Sequence, residues 1–205
     1  MIIEFYGLPG SGKTTAAQKL KEVQGVEPVT ITGRRELCFL SAKFALKNPK
    51  AFFLTFGLIL VNSRDLKMFY YKLMNVLLYR TAKYEKALEA HMPVLLDEGL
   101  FQNVLSLFER PMTKEKLLHY ARVLPKPDTL VIFHIEQNKR QKLLNARKRI
   151  PRREFGEEYR TQWERAMEEN DKIFRGFISE FPLKCVFVEE LDEVPDVERI
   201  LNTQR

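Results

Sequence analysis

The amino-terminal pattern is a short β-prone run, residues 2–6, that stops at Gly7. From residue 13 to residue 23, apolar positions recur at helical spacing and define one face of an amphipathic helix. The loop between the two is rich in glycine, which permits tight backbone curvature. The pattern therefore predicts a strand, a glycine loop and a helix in immediate succession.

Further apolar runs predict a second strand at 28–31, a third at 93–96, a fourth at 128–135 and a fifth at 184–188. Helical patterns occupy residues 36–47, 51–61, 65–90, 101–109, 113–124, 137–147, 157–180 and 197–201. Because strands alternate with helices, we predict a three-layer α/β fold, with a central parallel sheet of about five strands and helices on both faces. A helical insertion, residues 34–91, follows the second strand. The length fits a single domain, residues 1–205.

Residues 51–61 form the most apolar stretch of the chain. A helix needs roughly 20 apolar residues to cross a bilayer, so we expect no transmembrane segment here. The simplest interpretation is a helix buried in the core, or at a homodimer contact through the apolar 51–90 region. A membrane-touching or lipid-substrate face is the alternative.

The formal net charge is +7, and the densest basic cluster lies between Arg140 and Arg153. Such a balance suits a nucleic-acid surface, a membrane surface or a site for polyanionic nucleotides. Since no nucleic-acid-binding motif accompanies the charge, we favour a local phosphate clamp and expect no stable nucleic-acid partner. Cys38 and Cys185 lack zinc-ligand spacing and no secretion signal is visible, so we expect buried reduced thiols in a cytoplasmic protein.

Residues 7–14, GLPGSGKT, match the phosphate-binding pattern GxxxxGK[ST] in the strand–loop–helix context that this pattern requires. The glycines let backbone N–H groups point at phosphate oxygens, and the helix adds its positive amino-terminal end. We predict that Lys13 reaches the β- and γ-phosphates, that Thr14 ligates Mg²⁺ and that Thr15 contacts the α-phosphate. The predicted nucleotide-binding residues are Gly7, Pro9, Gly10, Ser11, Gly12, Lys13, Thr14 and Thr15. The alternative is a glycine turn that precedes a lysine by chance.

Two acidic residues, Asp97 and Glu98, follow the strand predicted at 93–96. The carboxyl end of a buried parallel strand lies beside such a phosphate loop, so Asp97 is placed to hold Mg²⁺ or to accept a proton from an attacking hydroxyl. Glu98 suits either task as well. The alternative is that one of the two merely caps the next helix.

The basic residues between Arg147 and Arg153 join two predicted helices. Phosphoryl transfer spreads negative charge over the γ-phosphate, and arginines on a mobile segment stabilise that charge, so we predict a lid at residues 147–157. Arg149 and Arg153 are the favoured catalytic arginines, and a solvated basic helix end is the alternative. Arg34 and Arg35 are candidates for binding an anionic group of the acceptor, unless they are surface charges.

These residues together resemble the P-loop nucleoside and nucleotide kinases, especially the thymidylate-kinase-like branch, while residues 7–15 look like the loop of adenylate-kinase-type enzymes. Residues 131–136, their helix and residues 147–154 resemble the family's fourth strand, helix and arginine-bearing lid. The resemblance implies an acidic residue at the position of Asp97. Two departures stand out: the family usually has an arginine directly after this acid, where Glu98 stands, and the Asp-Gly-Phe-Pro-Arg substrate signature is missing.

The sequence thus favours an ATP-dependent kinase that uses Mg²⁺ and transfers a phosphoryl group to a small-molecule hydroxyl or phosphate. GTP is an alternative donor, and a nucleoside, a nucleotide and a sugar all stay open as acceptors. One competing hypothesis is a nucleotide-dependent switch or binding module, although no Asn-Lys-x-Asp motif is present. The other is a polynucleotide kinase, which only the net charge supports.

Overall fold

The computed structural model describes residues 1–145, 152 and 155–189, with the side chains of 141 and 145 excepted. In chain order the elements are β1 Ile2–Gly7, α1 Lys13–Gln24, α2 Arg34–Lys47, α3 Pro49–Val61, α4 Leu66–Lys72, a π-helical segment Leu73–Leu78, α5 Tyr79–Leu88, β2 Val94–Leu96, α6 Asn103–Ser106, α7 Lys114–Val123, β3 Thr129–Phe133, α8 Gln137–Asn145, α9 Glu157–Ile178 and β4 Lys184–Val188.

The sheet has the strand order β2-β1-β3-β4, and all three pairs are parallel. Strand β1 therefore lies in the centre, where Ile3 faces Leu95 of β2 and Thr129 of β3. Every residue of β1 and β3 is buried, as expected for a parallel sheet covered on both faces. The carboxyl ends of β1, β2 and β3 consequently meet at one edge.

The predicted strand at 28–31 is not a strand, so the sheet of the described residues has four strands instead of five. Only an isolated parallel bridge joins Pro28 to Leu95, supported by the bond from Val29 N to Leu95 O at 2.9 Å. Proline has no N–H to donate, which prevents a regular ladder at this position. The helical region therefore follows this bridge, and β2 is the second strand of the sheet.

Two separate cores cover the faces of the sheet. On one face, Ile3 and Phe5 pack with Ala16 and Leu20 of α1. On the other face, a larger core joins the sheet to α5, α6, α7 and α9, and the ring centroids of Tyr6 and Phe174 lie 4.5 Å apart. The predicted placement of helices on both faces is confirmed.

The helix predicted at 65–90 is observed as one helical run, α4–π–α5, from Leu66 to Leu88. Helix α3 differs more from expectation, because it buries only Ala51, Thr55 and Ile59 as complete residues. Its outer face exposes three large apolar side chains, those of Phe53, Leu60 and Val61. Within the single chain this face is uncovered, so burial in the core accounts for only part of the helix, and the predicted homodimer contact stays a prediction.

Among the described residues, no single helix is long and apolar enough to cross a bilayer. Helices α2 and α3 reach that length only when they are taken together, and the pair is bent by 115°.

The predicted helix at 101–109 is shorter than expected, since α6 has four residues. The helix predicted at 197–201 lies outside the described residues. Cys38 is exposed and Cys185 is only partly buried, which corrects the prediction of two buried thiols.

Candidate active site

The glycine loop lies where the motif predicted, between the end of β1 and the start of α1. Gly7, Gly10 and Gly12 have positive φ angles of 154°, 84° and 86°. At Gly10 a side chain is excluded on two grounds, because the φ angle is left-handed and a Cβ would lie 2.7 Å from Cγ of Leu144 in α8. Helix α8 therefore packs directly over the loop.

The ammonium group of Lys13 is inside this loop. Its Nζ donates to Gly7 O at 2.6 Å, to Leu8 O at 3.0 Å and to Ser11 Oγ at 3.4 Å. Lys13 and Ser11 are buried, while Thr14 and Thr15 are exposed on the first turn of α1. A positive charge at a helix amino terminus, next to a curled backbone, is the arrangement that binds phosphate groups in proteins.

Asp97 and Glu98 follow β2 directly, and β2 is the neighbour of the strand that leads into the glycine loop. The buried Lys83 of α5 donates to Asp97 Oδ1, and Glu98 N donates to the same oxygen at 3.1 Å. Glu98 Oε2 accepts from Arg80 at 3.2 Å. The side chains of Asp97 and Glu98 stay 40% and 57% exposed, so both carboxylates are open to solvent.

A buried arginine beside Glu98 was missed by the sequence analysis. Arg80 is 6% exposed and donates to Asn103 Oδ1 at 2.6 Å and to Ser106 Oγ. Asn103 Nδ2 in turn donates to Tyr120 OH at 2.9 Å. The signal was available, because Arg80 falls three residues after Leu77 and thus on the apolar face of its helix, where a charge requires a partner.

Two further polar residues under the loop were also missed, Glu4 and Gln102. Glu4 is fully buried in β1, and desolvation raises the pKa of its carboxyl to about 7, against the opposing effects of the Phe101 N–H and the Arg80 charge. Gln102 is buried against Gly7, with bonds at 3.1 Å from Gly7 N and at 3.0 Å to Gly7 O. An acid inside an otherwise apolar strand was the only visible signal for Glu4.

Of the basic cluster, the structure describes Arg152, while Arg149 and Arg153 lie outside the described residues. Arg152 is buried, and it donates to Glu109 Oε1 at 3.0 Å, to Tyr159 OH and to Ser106 O. Its guanidinium carbon lies 4.2 Å from the centroid of the Trp163 ring. Arg152 is therefore held in place by several groups at once, and the buried Trp163 ring packs against its guanidinium.

Glu109 joins Arg152 to a second buried cation, Lys72 of α4. Lys72 Nζ also donates to Asn62 O at 2.7 Å and to Leu107 O at 2.8 Å. Desolvation lowers the pKa of Lys72 to about 8, and the Glu109 carboxylate opposes that effect. The Glu109 carboxylate, in the segment after α6, thus binds both Arg152 and the end of α4.

A cavity of about 870 Å³ opens beside this cluster, between α3, α7 and the segment after α6. Its walls include Leu58, Arg64, Phe108, Glu109 and Tyr120. None of the residues predicted for the nucleotide site lines it. The loop around Lys13 and this cavity are therefore separate features of the molecule.

Arg34 and Arg35 lie on the first turn of α2 and are exposed. Neither side chain has a hydrogen bond or ion pair within the described part of the chain. Their predicted role in binding the acceptor stays a prediction.

The groups near the loop fit Mg²⁺, which prefers oxygen ligands and keeps several of its waters. Thr14 offers an exposed hydroxyl at the start of α1, and Asp97 offers a carboxylate at the end of the neighbouring strand β2. Within residues 1–145, 152 and 155–189, no cluster of three histidine, cysteine or acidic residues provides a protein-only metal site. This donor set suits a cation that phosphate oxygens also ligate.

Comparison with solved structures shows the fold. Deoxyadenosine kinase from M. mycoides, solved with the products dCMP and dCDP, matches with a TM-score of 0.56 at 16% identity over 100% of both chains. The same enzyme with bound dATP gives 0.55 at 17% identity, over 100% of this chain and 99% of the other. Thymidylate kinase from Candida albicans gives 0.53 at 15% identity, over 99% and 91% of the chains.

At the level of fold, these comparisons confirm the predicted resemblance to P-loop nucleoside and nucleotide kinases. No protein-family model matches the sequence, and neither does any curated protein.

Proposed function

We propose that this protein is a kinase that binds ATP or GTP with Mg²⁺ at the loop 7–15 and transfers the γ-phosphoryl group to a small molecule. The observation that carries the proposal is the position of Lys13 at the start of α1, inside a loop whose glycines have positive φ angles. This loop follows β1, and the neighbouring strand β2 leads directly into Asp97. Phosphoryl transfer requires a loop that binds polyphosphate and an acidic group close to it, and both lie at one edge of the sheet.

In this proposal, the backbone N–H groups of residues 7–13 bind the phosphate oxygens, and Lys13 neutralises charge on the β- and γ-phosphates. Bound Mg²⁺ would supply further neutralisation of the phosphate charge, held by the Thr14 hydroxyl and by an acid at the end of β2, Asp97 first. Asp97 holds Mg²⁺ or accepts the proton of the attacking hydroxyl, and Glu98 suits either task. The exposed fractions of both carboxylates leave them open to an acceptor.

The acceptor approaches the two acids from the side of α5 and α6, where Arg80 and Asn103 lie. Arg80 places a guanidinium beside Glu98 from the middle of the helical run. The kinases that the sequence resembles usually carry an arginine directly after the acidic residue, so Arg80 is a substitute for that charge from another element. A nucleoside, a nucleotide and a sugar are the acceptor classes to examine.

The experiment is incubation with γ-labelled ATP and a panel of nucleosides, nucleotides and sugars, scored for labelled product. Lys13→Ala should weaken nucleotide binding roughly 10- to 100-fold, because a charge-assisted contact with phosphate is lost. Lys19→Ala is the matched control, since Lys19 is exposed on the same helix. Unchanged nucleotide affinity in Lys13→Ala would contradict the proposed binding site.

Asp97→Asn separates binding from chemistry. Loss of a general base should lower the turnover roughly 100-fold or more while nucleotide affinity stays the same. If Asp97→Asn turns over normally and Glu98→Gln does not, Glu98 is the base.

A further inference from the structure

Residues 97–102, which we call the acidic segment, are bound to strand β1 at two points. At the first point, Glu4 Oε1 accepts a hydrogen bond from Phe101 N at 2.6 Å. At the second, the Gln102 amide exchanges two bonds with the backbone of Gly7, one from Gly7 N and one to Gly7 O. The Glu4 side chain of β1 thus binds the backbone of the segment, and the Gln102 side chain of the segment binds the backbone of β1.

Gly99 adds a third contact, which is steric. A Cβ at this position would lie 2.3 Å from Cδ and 2.5 Å from Oε2 of Glu4. Within the described residues, Glu4 Oε2 has no hydrogen-bond partner, so its place is explained by the fit against Gly99 and not by a bond. The carboxyl group of Glu4 therefore fills the space that any side chain at residue 99 would need.

The two bonded points connect the acidic segment to the strand that leads into the phosphate loop. Gly7 is the first residue of the phosphate loop, and its carbonyl oxygen accepts from both Gln102 and Lys13. Asp97 and Glu98 begin the acidic segment. The contacts at Glu4 and Gly7 are all buried, where hydrogen bonds are stronger than in water.

We propose that Glu4 and Gln102 are positioning residues, which clamp the acidic segment to β1 and so fix Asp97 and Glu98 relative to the phosphate loop. This inference rests on the proposed kinase function. Phosphoryl transfer depends on placing groups with an accuracy of about 1 Å, and a misplacement of that size can cost on the order of 100-fold in rate. Neither residue touches the reacting atoms in this scheme, since both act through the segment.

The test uses three variants of the full chain and one control. Gln102→Leu removes both bonds to Gly7, and Glu4→Ala removes the acceptor for Phe101 N. Glu4→Gln keeps a carbonyl oxygen at the same place and is the conservative rescue. Thr55→Val is the control, because Thr55 is buried and loses a bond to Tyr120 OH without a contact to the segment.

The first readout is amide hydrogen exchange, which does not depend on any activity. Gln102→Leu and Glu4→Ala should speed exchange in residues 97–102 about tenfold or more, while Glu4→Gln and Thr55→Val stay within about threefold of the parent. Unchanged exchange in both clamp variants overturns the clamp.

The second readout is transfer kinetics with an acceptor from the panel. Gln102→Leu and Glu4→Ala should lower kcat roughly 10- to 100-fold with the KM for ATP nearly unchanged, and Glu4→Gln should restore most of it. Loss of stability without this split overturns the positioning role. If the parent protein transfers nothing to any acceptor, the proposed function fails, and the exchange experiment still decides the clamp separately.

Discussion

Glu4 is an acidic residue whose side chain is fully buried in the central strand of the sheet. Burial disfavours the charged form. Backbone N–H groups, that of Phe101 above all, and the nearby Arg80 charge offset this effect only in part, so the pKa of the carboxyl group rises to about 7. An apolar residue at this position would avoid the cost. The carboxyl group instead binds the acidic segment in two ways: it accepts a hydrogen bond from Phe101 N, and it packs closely against Gly99.

At the residue scale, Gly99→Ala should destabilise the protein by roughly 1–3 kcal/mol, because the new Cβ overlaps with the Glu4 carboxyl group. In the Glu4→Ala background the same change should cost much less, since the overlapping group has gone. The measurement is a double-mutant cycle in urea unfolding. Gly57→Ala is the control, because a Cβ built there meets no atom within 4 Å beyond its chain neighbours and the backbone of its own helix, so this change should not destabilise the protein. Additive effects of the two substitutions would contradict the packing argument.

The glycine loop was predictable because its residues form a local motif. The loop 7–14 is contiguous, and its glycines carry the backbone angles that the motif requires. Glu4, Arg80 and Gln102 belong to no such motif, since Gln102 meets Gly7 across 95 positions and Glu4 meets Phe101 across 97. Their roles depend on tertiary contacts that a single sequence does not encode locally.

At the element scale, Arg152 connects α9 to α6 and to the segment that follows α6. Its guanidinium contacts Ser106 O at the end of α6, Glu109 in the next segment, and Tyr159 and Trp163 of α9. Lys72 adds α4 to the same carboxylate. A cation with this many buried partners anchors the chain that leads into α9, whatever the role of its basic neighbours.

Arg152→Ala should destabilise the protein by roughly 3–5 kcal/mol, because the removal of one partner of a buried pair leaves Glu109 incompletely compensated. Arg152→Lys should recover little, since an ammonium group cannot bond three acceptors and stack on an indole ring together. Thermal or urea unfolding measures both. Arg165→Ala is the control, because Arg165 on α9 is 82% exposed and, within the part of the chain that the structure describes, pairs only with Glu169, so its loss should cost under about 0.5 kcal/mol. Equal losses at both arginines would refute the anchor.

The helices and strands followed the hydrophobic periodicity closely, and two differences have physical causes. The run at 28–31 was apolar enough for a strand, but Pro28 limits its pairing to one bridge. The helix at 65–90 was predicted as one element, and its π-helical segment at 73–78 was not, since a wider turn leaves no mark in apolar spacing.

At the scale of the whole molecule, a parallel sheet with two cores places the three strand ends that matter at one edge. The alternation of strands and helices was sufficient to predict this edge, because parallel strands require crossovers of that kind. The exposed apolar side chains of α3 were not predictable from composition, which reports how apolar a helix is and not which face is covered. The homodimer through the 51–90 region stays a prediction.

The free energy of unfolding should depend on pH through the raised pKa of Glu4. The pKa of Glu4 is about 7 in the folded protein, above the ordinary value of 4.5 that applies when the chain is unfolded. Between these values the folded state holds a proton that the unfolded state has released, so the contribution of Glu4 to stability falls as the pH rises. Between pH 5 and pH 7 Lys72 stays almost wholly protonated in both states, because its pKa in the folded protein is about 8, and it adds little slope.

Glu4→Gln removes this titration while it keeps an acceptor for Phe101 N. The parent protein should therefore lose roughly 2 kcal/mol of unfolding free energy relative to Glu4→Gln between pH 5 and pH 7, and urea unfolding across that range measures the difference. All other titrating groups are common to the two proteins, so their contributions cancel in the comparison. Parallel curves for the two proteins would mean that the carboxyl group of Glu4 is as well solvated in the folded state as in the unfolded chain.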